Sequence, residues 1–382
     1  MISGKKTVTD KKIDAPQIRK ANKKAIFDYI KKNSAVTKNV LSIMLGLSRP
    51  TVAGIIEELE KAGLIRAVRS KGNTGGRTAM EYVTIPEAYR SVGLQLSGHH
   101  IRGVIVNLNG EVVEQICVKQ KFEAGEAYRK ELGTVYRQLL QNAGLREEDI
   151  AATGVAVQAL IDQDGKKIIY IPNEVVSISR YDQLLKYIPG EKRFFHDLTA
   201  LGYNEKLKLD TNVFYLSVNN RIGGMMLIEE NVYNGSNNKA GEVGHMQLMH
   251  KGRQCYCGNR GCFDAYCNTD VLRNYIHGRL EDFFESVSRG EEQTMQYFHE
   301  YLEYMAEAIF GIRMIFDGVI IIGGEIGRYS KYFLDELRDL LDQKAFFPNE
   351  HASEYLMADE FGEYAIAIGG AMYYCERVLD YV

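Results

Sequence analysis

The sequence predicts a small basic winged helix-turn-helix domain followed by a mixed α/β body in two lobes. Residues 1–85 contain 17 Lys and Arg against 7 Asp and Glu, whereas the rest contain 30 against 43. The first part has helical hydrophobic spacing broken by turn residues, and the second alternates strand-like runs with long helical patterns. A length of 382 residues fits two or three domains. We place the domains at residues 1–86 and 87–382.

Composition excludes several classes of protein. Hydrophobic residues make up 45% and charged residues 25%, as in ordinary globular chains. No apolar run approaches the roughly 18–20 residues that cross a bilayer, and the first residues have no signal-peptide pattern, so we expect a cytoplasmic protein without membrane partners. A basic segment joined to an acidic body predicts a polyanion-binding module. The alternative for four of these charges is a solvated lysine-rich tail, formed by Lys5, Lys6, Lys11 and Lys12.

The basic segment follows a helix, helix, turn, helix and wing pattern. Helices are predicted over residues 16–32, over 37–45, and after the N-cap residue Ser48, and strands over 64–68 and 80–85. Gly46 and Gly63 are expected to end the second and third helices. The predicted inward side chains are Ile18, Ala21, Ala25, Ile26, Tyr29 and Ile30 on the first helix, Val40, Leu41, Met44 and Leu45 on the second, and Val52, Ile55, Ile56 and Leu59 on the third.

This pattern predicts DNA binding, with the start of the third helix in the major groove. The predicted base-contacting residues are Ser48, Arg49, Thr51 and Val52. Arg77, in the glycine-rich loop between the two strands, is expected in the narrow minor groove. A scaffold that binds protein and a nonspecific nucleic-acid binder are the alternatives. Since one such module reads one half-site, we expect a homodimer or a dimer of dimers.

The body begins with strand-like segments and continues as an α/β pattern. Residues 91–110 predict a hairpin, and 112–119 a third strand beside it. Later strands are predicted at 153–157, 193–196, 213–218, 225–229 and 319–322. Long helices are predicted at 127–142, 294–316, 330–344 and 364–378.

Three cysteines lie on one tight loop, at Cys255, Cys257 and Cys262, with His245 ten residues upstream. Three thiolates and one imidazole suit tetrahedral Zn²⁺ without an open position, which predicts a structural zinc site with these four ligands. Free thiols are the alternative, and Cys267 is a possible substitute ligand.

The segments 240–245 (Ala-Gly-Glu-Val-Gly-His) and 255–264 (Cys-Tyr-Cys-Gly-Asn-Arg-Gly-Cys-Phe-Asp) resemble the signature of the ROK family, whose name groups repressors, open reading frames and kinases. The glycine pairs within 323–324 and 367–371 fit the same family, and the winged helix matches its repressor branch. The resemblance implies an actin-like, ribonuclease-H-like two-lobed ATPase fold preceded by the DNA-binding domain. It also implies a sugar site between the lobes.

That resemblance transfers sugar contacts to individual positions. Asp197 stands where the kinases have their catalytic base, and His196 replaces an asparagine that contacts sugar. Asp264 stands in place of a glutamate, one methylene shorter. The complete set implied is Asn173, His196, Asp197, Glu242, His245 and Asp264. Carboxylates and amides suit vicinal hydroxyls because they offer paired hydrogen bonds.

Both phosphate-binding turns depart from the kinase pattern. The first reads Asp-x-Gly-Gly-Thr-Lys in the kinases, and here residues 95–100 read Gln-Leu-Ser-Gly-His-His. The second reads Gly-Thr-Gly-Ile-Gly-Gly in the kinases, and here 219–224 begin Asn-Asn-Arg. Phosphoryl transfer depends on glycine-lined amides and a metal ion, so we predict no catalytic residue and no kinase activity. Arg221 either pairs with a phosphorylated sugar or closes the nucleotide cleft.

The leading hypothesis is a sugar-responsive transcription factor that represses carbohydrate-utilisation genes. Its partners would be operator DNA and a sugar or sugar phosphate. An active ROK sugar kinase with an appended DNA-binding domain is one alternative. A regulator whose body binds a protein, such as a sugar-transport component, is another.

Overall fold

A computed structural model describes residues 15–33, 35–69, 80–123, 125–162, 164–170, 181–204, 209–229, 231–237, 239–344, 347–359 and 362–381. The chain divides into two compact units. The first unit contains the chain up to Arg90 together with residues 107–111 and 375–382, and the second contains residues 91–106 and 112–374. Among the described helices, none combines the length and the apolar character that a membrane crossing needs.

The first unit has three helices and a three-stranded antiparallel sheet. The elements are α1 (Ala15–Asn33), β1 (Val36–Thr37), α2 (Lys38–Met44), α3 (Arg49–Lys61), β2 (Ile65–Arg69) and β3 (Met80–Thr84). The strand order is β1-β3-β2, with Ile65 of β2 opposite Thr84 of β3. The predicted helix, helix, turn, helix and wing arrangement is confirmed.

Local sequence explains where α3 begins and why turns follow α2 and α3. The Ser48 hydroxyl accepts a hydrogen bond from the Thr51 backbone N–H at 3.3 Å, as expected of an N-cap. Gly46 and Gly63 have φ angles of +63° and +72°, which side chains disfavour. The four inward residues predicted for α3 are all buried.

The predicted stripes on α1 and α2 were too long. On α1 the buried residues are Ile26, Phe27 and Ile30, while Ile18 is 47% exposed and Ala21 and Ala25 are also exposed. On α2, Leu41 is buried, but Val40 and Met44 are exposed, as is their neighbour Ile43. A seven-residue helix makes two turns, so it directs few side chains to the core.

The second unit contains two five-stranded sheets with the same topology. Its strands are β4 (Arg90–Leu96), β5 (His100–Asn107), β6 (Val112–Lys119), β7 (Ala152–Val157), β8 (Leu160–Ile161), β9 (Ile168–Tyr170), β10 (Glu191–His196), β11 (Val213–Val218), β12 (Ile222–Ile228), β13 (Asn231–Tyr233), β14 (Val319–Gly323) and β15 (Leu356–Ala358). The sheet orders are β10-β7-β4-β5-β6 and β13-β12-β11-β14-β15. In each sheet the third strand along the chain lies at one edge and the fifth at the other.

Pairing directions repeat as well. Strands β4, β7 and β10 are mutually parallel, as are β11, β14 and β15, and both β5–β6 and β12–β13 are antiparallel. The small strands β8 and β9 pair separately. This duplicated α/β arrangement is the fold that the family resemblance implied.

Helices pack against these sheets. They are α4 (Glu126–Asn142), α5 (Tyr181–Leu184), α6 (Asp197–Leu201), α7 (Asp264–Cys267), α8 (Thr269–Ile276), α9 (Leu280–Ser288), α10 (Glu292–Arg313), α11 (Leu334–Asp342), α12 (Ala352–Tyr355) and α13 (Ala365–Cys375). A Cβ on Gly154 of β7 would lie 2.0 Å from the Gly370 carbonyl oxygen of α13. The glycine in β7 therefore allows α13 to lie directly on the first sheet.

Candidate functional site

A cavity of about 650 Å³ in the second unit is lined by residues that follow strands of both five-stranded sheets. We call it the central cavity. From the first sheet it receives His196 and Asp197, at the junction of β10 and α6. From the second sheet it receives Asn219, after β11, and the segment after β13 adds Glu242 and His245. Four of the predicted sugar-contacting residues thus line the same cavity.

His196 and Asp197 form a local pair. His196 Nδ1 lies 3.1 Å from Asp197 Oδ1, and the same oxygen accepts the Leu198 backbone N–H at 2.8 Å. The Asp197 side chain is 16% exposed and that of His196 is 35% exposed. The start of α6 therefore fixes one oxygen of Asp197 and leaves the second for a ligand.

Close backbone packing positions Glu242 and His245. A Cβ on Gly241 would lie 2.0 Å from the Gly224 carbonyl oxygen, and one on Gly244 would lie 2.3 Å from that of Ile222. The two glycines of the Ala-Gly-Glu-Val-Gly-His segment thus let it lie on β12. Glu242 is exposed, and within the described chain its carboxylate has no hydrogen-bond partner, so it is available to a ligand.

Asp264 lies behind this wall and is not among the lining residues. Its side chain is 2% exposed, and Oδ1 accepts the Ile222 backbone N–H at 2.8 Å. Its other oxygen lies 3.3 Å from Asn268 Nδ2. Burial raises the pKa of this carboxyl, while the Ile222 hydrogen bond opposes that rise. The visible role of Asp264 is to hold the β11–β12 turn.

The four predicted metal ligands form one cluster. The ligand atoms of His245, Cys255, Cys257 and Cys262 all lie within 4.8 Å of one another, so the cluster could hold a metal ion. A tetrahedron with Zn–S bonds of about 2.3 Å separates its sulfurs by roughly 3.8 Å. Cys257 Sγ and Cys262 Sγ are 3.8 Å apart, and His245 Nδ1 is 3.9 Å from Cys255 Sγ. The donor set fits zinc.

Cys267 lies apart from this cluster. Its side chain is fully buried, and its sulfur donates to the Tyr301 carbonyl oxygen at 3.6 Å. A thiol held in this way is a core group and not a substitute ligand.

The second nitrogen of His245 faces a residue that the sequence did not single out. His245 Nε2 lies 3.2 Å from the Tyr256 hydroxyl, and the Tyr256 ring also lines the cavity. The guanidinium of Arg221 stacks on the Tyr256 ring, 3.9 Å from its centre. The sequence position of Tyr256, between Cys255 and Cys257, could have indicated this contact. Two clustered cysteines fix the backbone on both sides of the tyrosine and so orient its side chain.

The two turns at the positions of the kinase phosphate-binding motifs have side-chain hydrogen bonds of their own. In the first, the Ser97 hydroxyl donates to the His100 carbonyl oxygen at 3.0 Å and accepts the His100 N–H at 3.1 Å. In the second, Asn219 Oδ1 accepts the Glu325 backbone N–H at 2.8 Å, and Asn219 Nδ2 donates to the Ser217 hydroxyl at 2.9 Å.

The structure places most of the predicted DNA-contacting residues on one exposed end of α3. Ser48 and Arg49 are exposed, Thr51 is half-buried, and Arg49 Nη2 donates to Asn39 Oδ1 at 3.2 Å. Val52 is fully buried, so it packs inside the unit. Arg77 and Asn173 lie outside the described residues.

Sequence comparisons match both units. A profile described as ROK family matches residues 91–377, and one described as winged helix-turn-helix DNA-binding matches residues 19–66. The xylose repressor of Bacillus subtilis (strain 168) is 24% identical over 384 residues, covering 97% of this chain and 98% of the relative. The DNA-binding transcriptional dual regulator NagC of Escherichia coli (strain K12) is 21% identical over 349 residues, covering 86% of each chain.

Solved structures share the fold. A ROK family transcriptional regulator, described as a homolog of the E. coli MLC protein, has a TM-score of 0.77 at 19% identity and covers 95% of this chain and 96% of its own. The ROK hexokinase from Thermus thermophilus has a TM-score of 0.60 at 22% identity, covering 76% of this chain and 99% of its own. The repressor-type neighbour therefore matches nearly the whole chain, and the kinase matches a part of it.

Proposed function

The chain belongs to the ROK family, and from that premise we propose that it is a DNA-binding transcriptional repressor that responds to a sugar without phosphorylating it. One combination of features carries the proposal: the same chain has an N-capped third helix whose start is exposed, and a cavity lined by Asp197 and Glu242 in which Asn219 is bonded to Glu325. The repressor names of full-length relatives support it. Control of carbohydrate-utilisation genes and a cytoplasmic location follow from such a role.

For DNA, we propose that Ser48, Arg49 and Thr51 meet the base edges and backbone of an operator. Val52 would support the helix from inside, because its side chain is buried. Arg77 stays a prediction for the minor groove. A homodimer or a dimer of dimers would supply two such helices to a palindromic operator.

For the sugar, we propose that Asp197 and Glu242 accept hydrogen bonds from ring hydroxyls. His196 and His245 would add polar contacts, since both line the same cavity. Asp264 is better suited to hold the turn than to touch the ligand, because its oxygens already have partners. Asn173 stays a prediction.

For the metal, we propose a structural Zn²⁺ held by His245 and the three cysteines. Bound zinc would cross-link the 255–262 loop to the 3-10 turn at 243–245. With Nδ1 facing the thiolates, the proton of His245 is assigned to Nε2, which then donates to the Tyr256 hydroxyl. The metal would thus order one wall of the central cavity.

We propose that the kinase activity of the family is lost. The Asn219 side chain fills the second turn, and Glu325 is held there by an ion pair with Arg273 at 2.8 Å. An active kinase is the second candidate, and the position of Asp197 in the cavity wall favours it. Phosphoryl transfer would still require backbone amides and a metal ion at turns that are now occupied.

The test combines DNA selection with ligand response. Purified full-length protein is mixed with fragmented genomic DNA of its source, and enriched fragments are sequenced and titrated with and without a panel of sugars. We expect a palindromic site whose affinity changes about tenfold or more with at least one sugar, and no ATP turnover with any sugar. ATP-dependent phosphorylation that Asp197→Asn abolishes would establish the kinase instead. No enriched site, or no response to any sugar, would refute the repressor.

A further inference from the structure

Arg221 occupies the turn between β11 and β12, and its side chain lines the central cavity. Two contacts fix the guanidinium. It lies 3.9 Å from the centre of the Tyr256 ring, and Nη1 donates to the Asn220 carbonyl oxygen at 2.7 Å. A planar guanidinium stacked on an aromatic face loses little freedom when it binds a further group. Arg221 is therefore oriented before any ligand arrives.

The positive charge of Arg221 has no direct counter-ion in the part of the chain that the structure describes. No carboxylate there lies within the 4.0 Å of an ion pair, and the buried Nε has no hydrogen-bond acceptor. By contrast, Arg273 and Arg313 in the same unit are paired with Glu325 and Glu350. Guanidinium N–H groups of this kind suit an acceptor supplied from outside, above all a planar or tetrahedral anion.

The cavity around Arg221 holds both kinds of recognition group. Asp197 and Glu242 suit hydroxyls, whereas three cations on the same lining suit negative charge: Arg221, Arg193 and Lys239. Asn219, two residues before Arg221, is already bonded to Glu325 and Ser217, so its side chain has partners within the chain. A ligand that satisfies this lining carries both hydroxyls and an anionic group.

We propose that the effector is an anionic sugar, a sugar phosphate or a sugar acid, and that Arg221 on Tyr256 binds its anionic group. The inference rests on the proposed sugar-binding function and names the chemical class of its ligand. Arg221 is then the residue that separates charged from neutral sugars at this site.

The test is calorimetric titration of the full-length chain with sugars that differ in one charged group. The probes are glucose, glucose 6-phosphate and glucuronate, then N-acetylglucosamine and its 6-phosphate, with xylose, inorganic phosphate and ADP added. Arg221→Gln is compared with the matched control Arg253→Gln, whose arginine also stacks on tyrosines, 4.6 Å from the Tyr266 ring, but does not line the cavity.

We expect a charged sugar to bind the unmodified chain about tenfold or more tightly than its neutral partner. Arg221→Gln should weaken that charged sugar by about tenfold to a hundredfold and the neutral partner by less than about threefold. Arg253→Gln should behave like the unmodified chain. The phosphate and carboxylate arms show which anion is recognised, and Arg221→Lys, which keeps the charge, should retain more affinity than Arg221→Gln.

Several results would overturn the inference. The inference fails if each neutral sugar binds as tightly as its charged partner, or if Arg221→Gln weakens the binding of charged and neutral sugars equally. It also fails if none of the probes binds, or if ADP is the only probe whose binding depends on Arg221. A neutral sugar that changes operator affinity in the Arg221→Gln protein as in the unmodified one refutes the anion site and leaves the repressor proposal standing. If no sugar changes operator affinity, the proposed function itself fails.

Discussion

Arg49 in the first unit and Arg221 in the second show two different uses of the same side chain. Arg49 is exposed at the start of α3, and its guanidinium contacts Asn39 on α2. Arg221 is stacked on a ring in the wall of a cavity. Charges on an open surface act on a long polyanion through many contacts that salt screens, whereas charges in a cavity meet one small ligand at fixed distances. Enclosure, more than composition, therefore separates the two proposed binding roles.

Removing the metal should have the largest effect, and it should fall on the enclosed site. Cys257→Ser is expected to abolish bound zinc and to lower the free energy of unfolding of the second unit by about 3 kcal/mol or more, because the loop loses its cross-link. Elemental analysis and thermal unfolding measure both changes. Sugar binding should weaken, while operator binding without sugar should persist.

Cys117→Ser is the control, since Cys117 is exposed on β6 and is not part of the cluster. It should retain one zinc per chain. Freshly purified protein that contains no zinc would contradict the proposed metal site.

Removing one enclosed carboxylate should have the next largest effect. Glu242→Gln is expected to weaken sugar binding by about 1.5–3 kcal/mol, because a charged acceptor of a hydroxyl is lost. Operator affinity without sugar should stay unchanged, since Glu242 belongs to the second unit. Calorimetric titration with the identified sugar measures the loss, and Glu354→Gln, exposed on α12, is the control. Unchanged sugar affinity would remove Glu242 from the site.

On the open surface, Arg49→Ala should weaken operator binding more than binding to scrambled DNA, by about 1–3 kcal/mol, if the arginine pairs with a guanine. Lys61→Ala, at the other end of α3, is the matched control. Titrations at two salt concentrations separate base recognition from phosphate contact. Equal losses on both duplexes would mean that Arg49 contacts the backbone alone.

Arg77 should behave differently from Arg49. Arg77→Ala is expected to reduce the magnitude of the slope of log affinity against log salt concentration by about one, the value for one phosphate contact. It should also reduce a preference for A·T pairs beside the half-site. Titrations against duplexes with A·T or G·C flanks measure both. An unchanged slope would exclude Arg77 from the interface.

The smallest expected effect concerns an exposed charge pair within the second unit. His299 Nδ1 on α10 lies 2.5 Å from Glu336 Oε1 on α11, and this hydrogen bond raises the pKa of His299 above 6.5. Its stabilising contribution is therefore complete below pH 6.5 and is lost as pH rises through the raised pKa. Because the His299 side chain is 51% exposed, we expect less than about 1 kcal/mol.

Thermal or urea unfolding of the unmodified chain and of His299→Gln across pH 5.5–8.5 measures this contribution. The stability difference should shrink as pH rises. A difference that grows with pH would show that another group controls it.

Much of the fold could be predicted from the sequence, and the misses have physical reasons. The central strands and long helices were predicted because apolar runs and helical spacing are local patterns. The edge strands β13 and β15 have three residues each, too few for a pattern to appear. Val40 and Met44 were placed inward by spacing alone, although exposure depends on which neighbour covers each face.

The residues of the candidate site also fall into two groups, those that the sequence predicts and those that it does not. The cysteines and His245 were found from spacing, and His196, Asp197 and Glu242 from the family resemblance, and the structure brings them to one region. Tyr256 was missed, and the role of Arg221 was left open. Asp264 matched a family position, but here the fold directs its carboxylate to the Ile222 N–H.

Features that depend on neighbouring residues can be predicted from the sequence: the Ser48 cap, the glycine ends of α2 and α3, and the donor set of the cysteine loop. The stacking of Arg221 on Tyr256 and the hydrogen bond between Asn219 and Glu325, which lie 106 residues apart, follow from packing between distant segments. Capping and metal-ligand spacing are set by local backbone geometry. Contacts between distant segments depend on how sheets and helices pack, and that packing involves the whole chain at once.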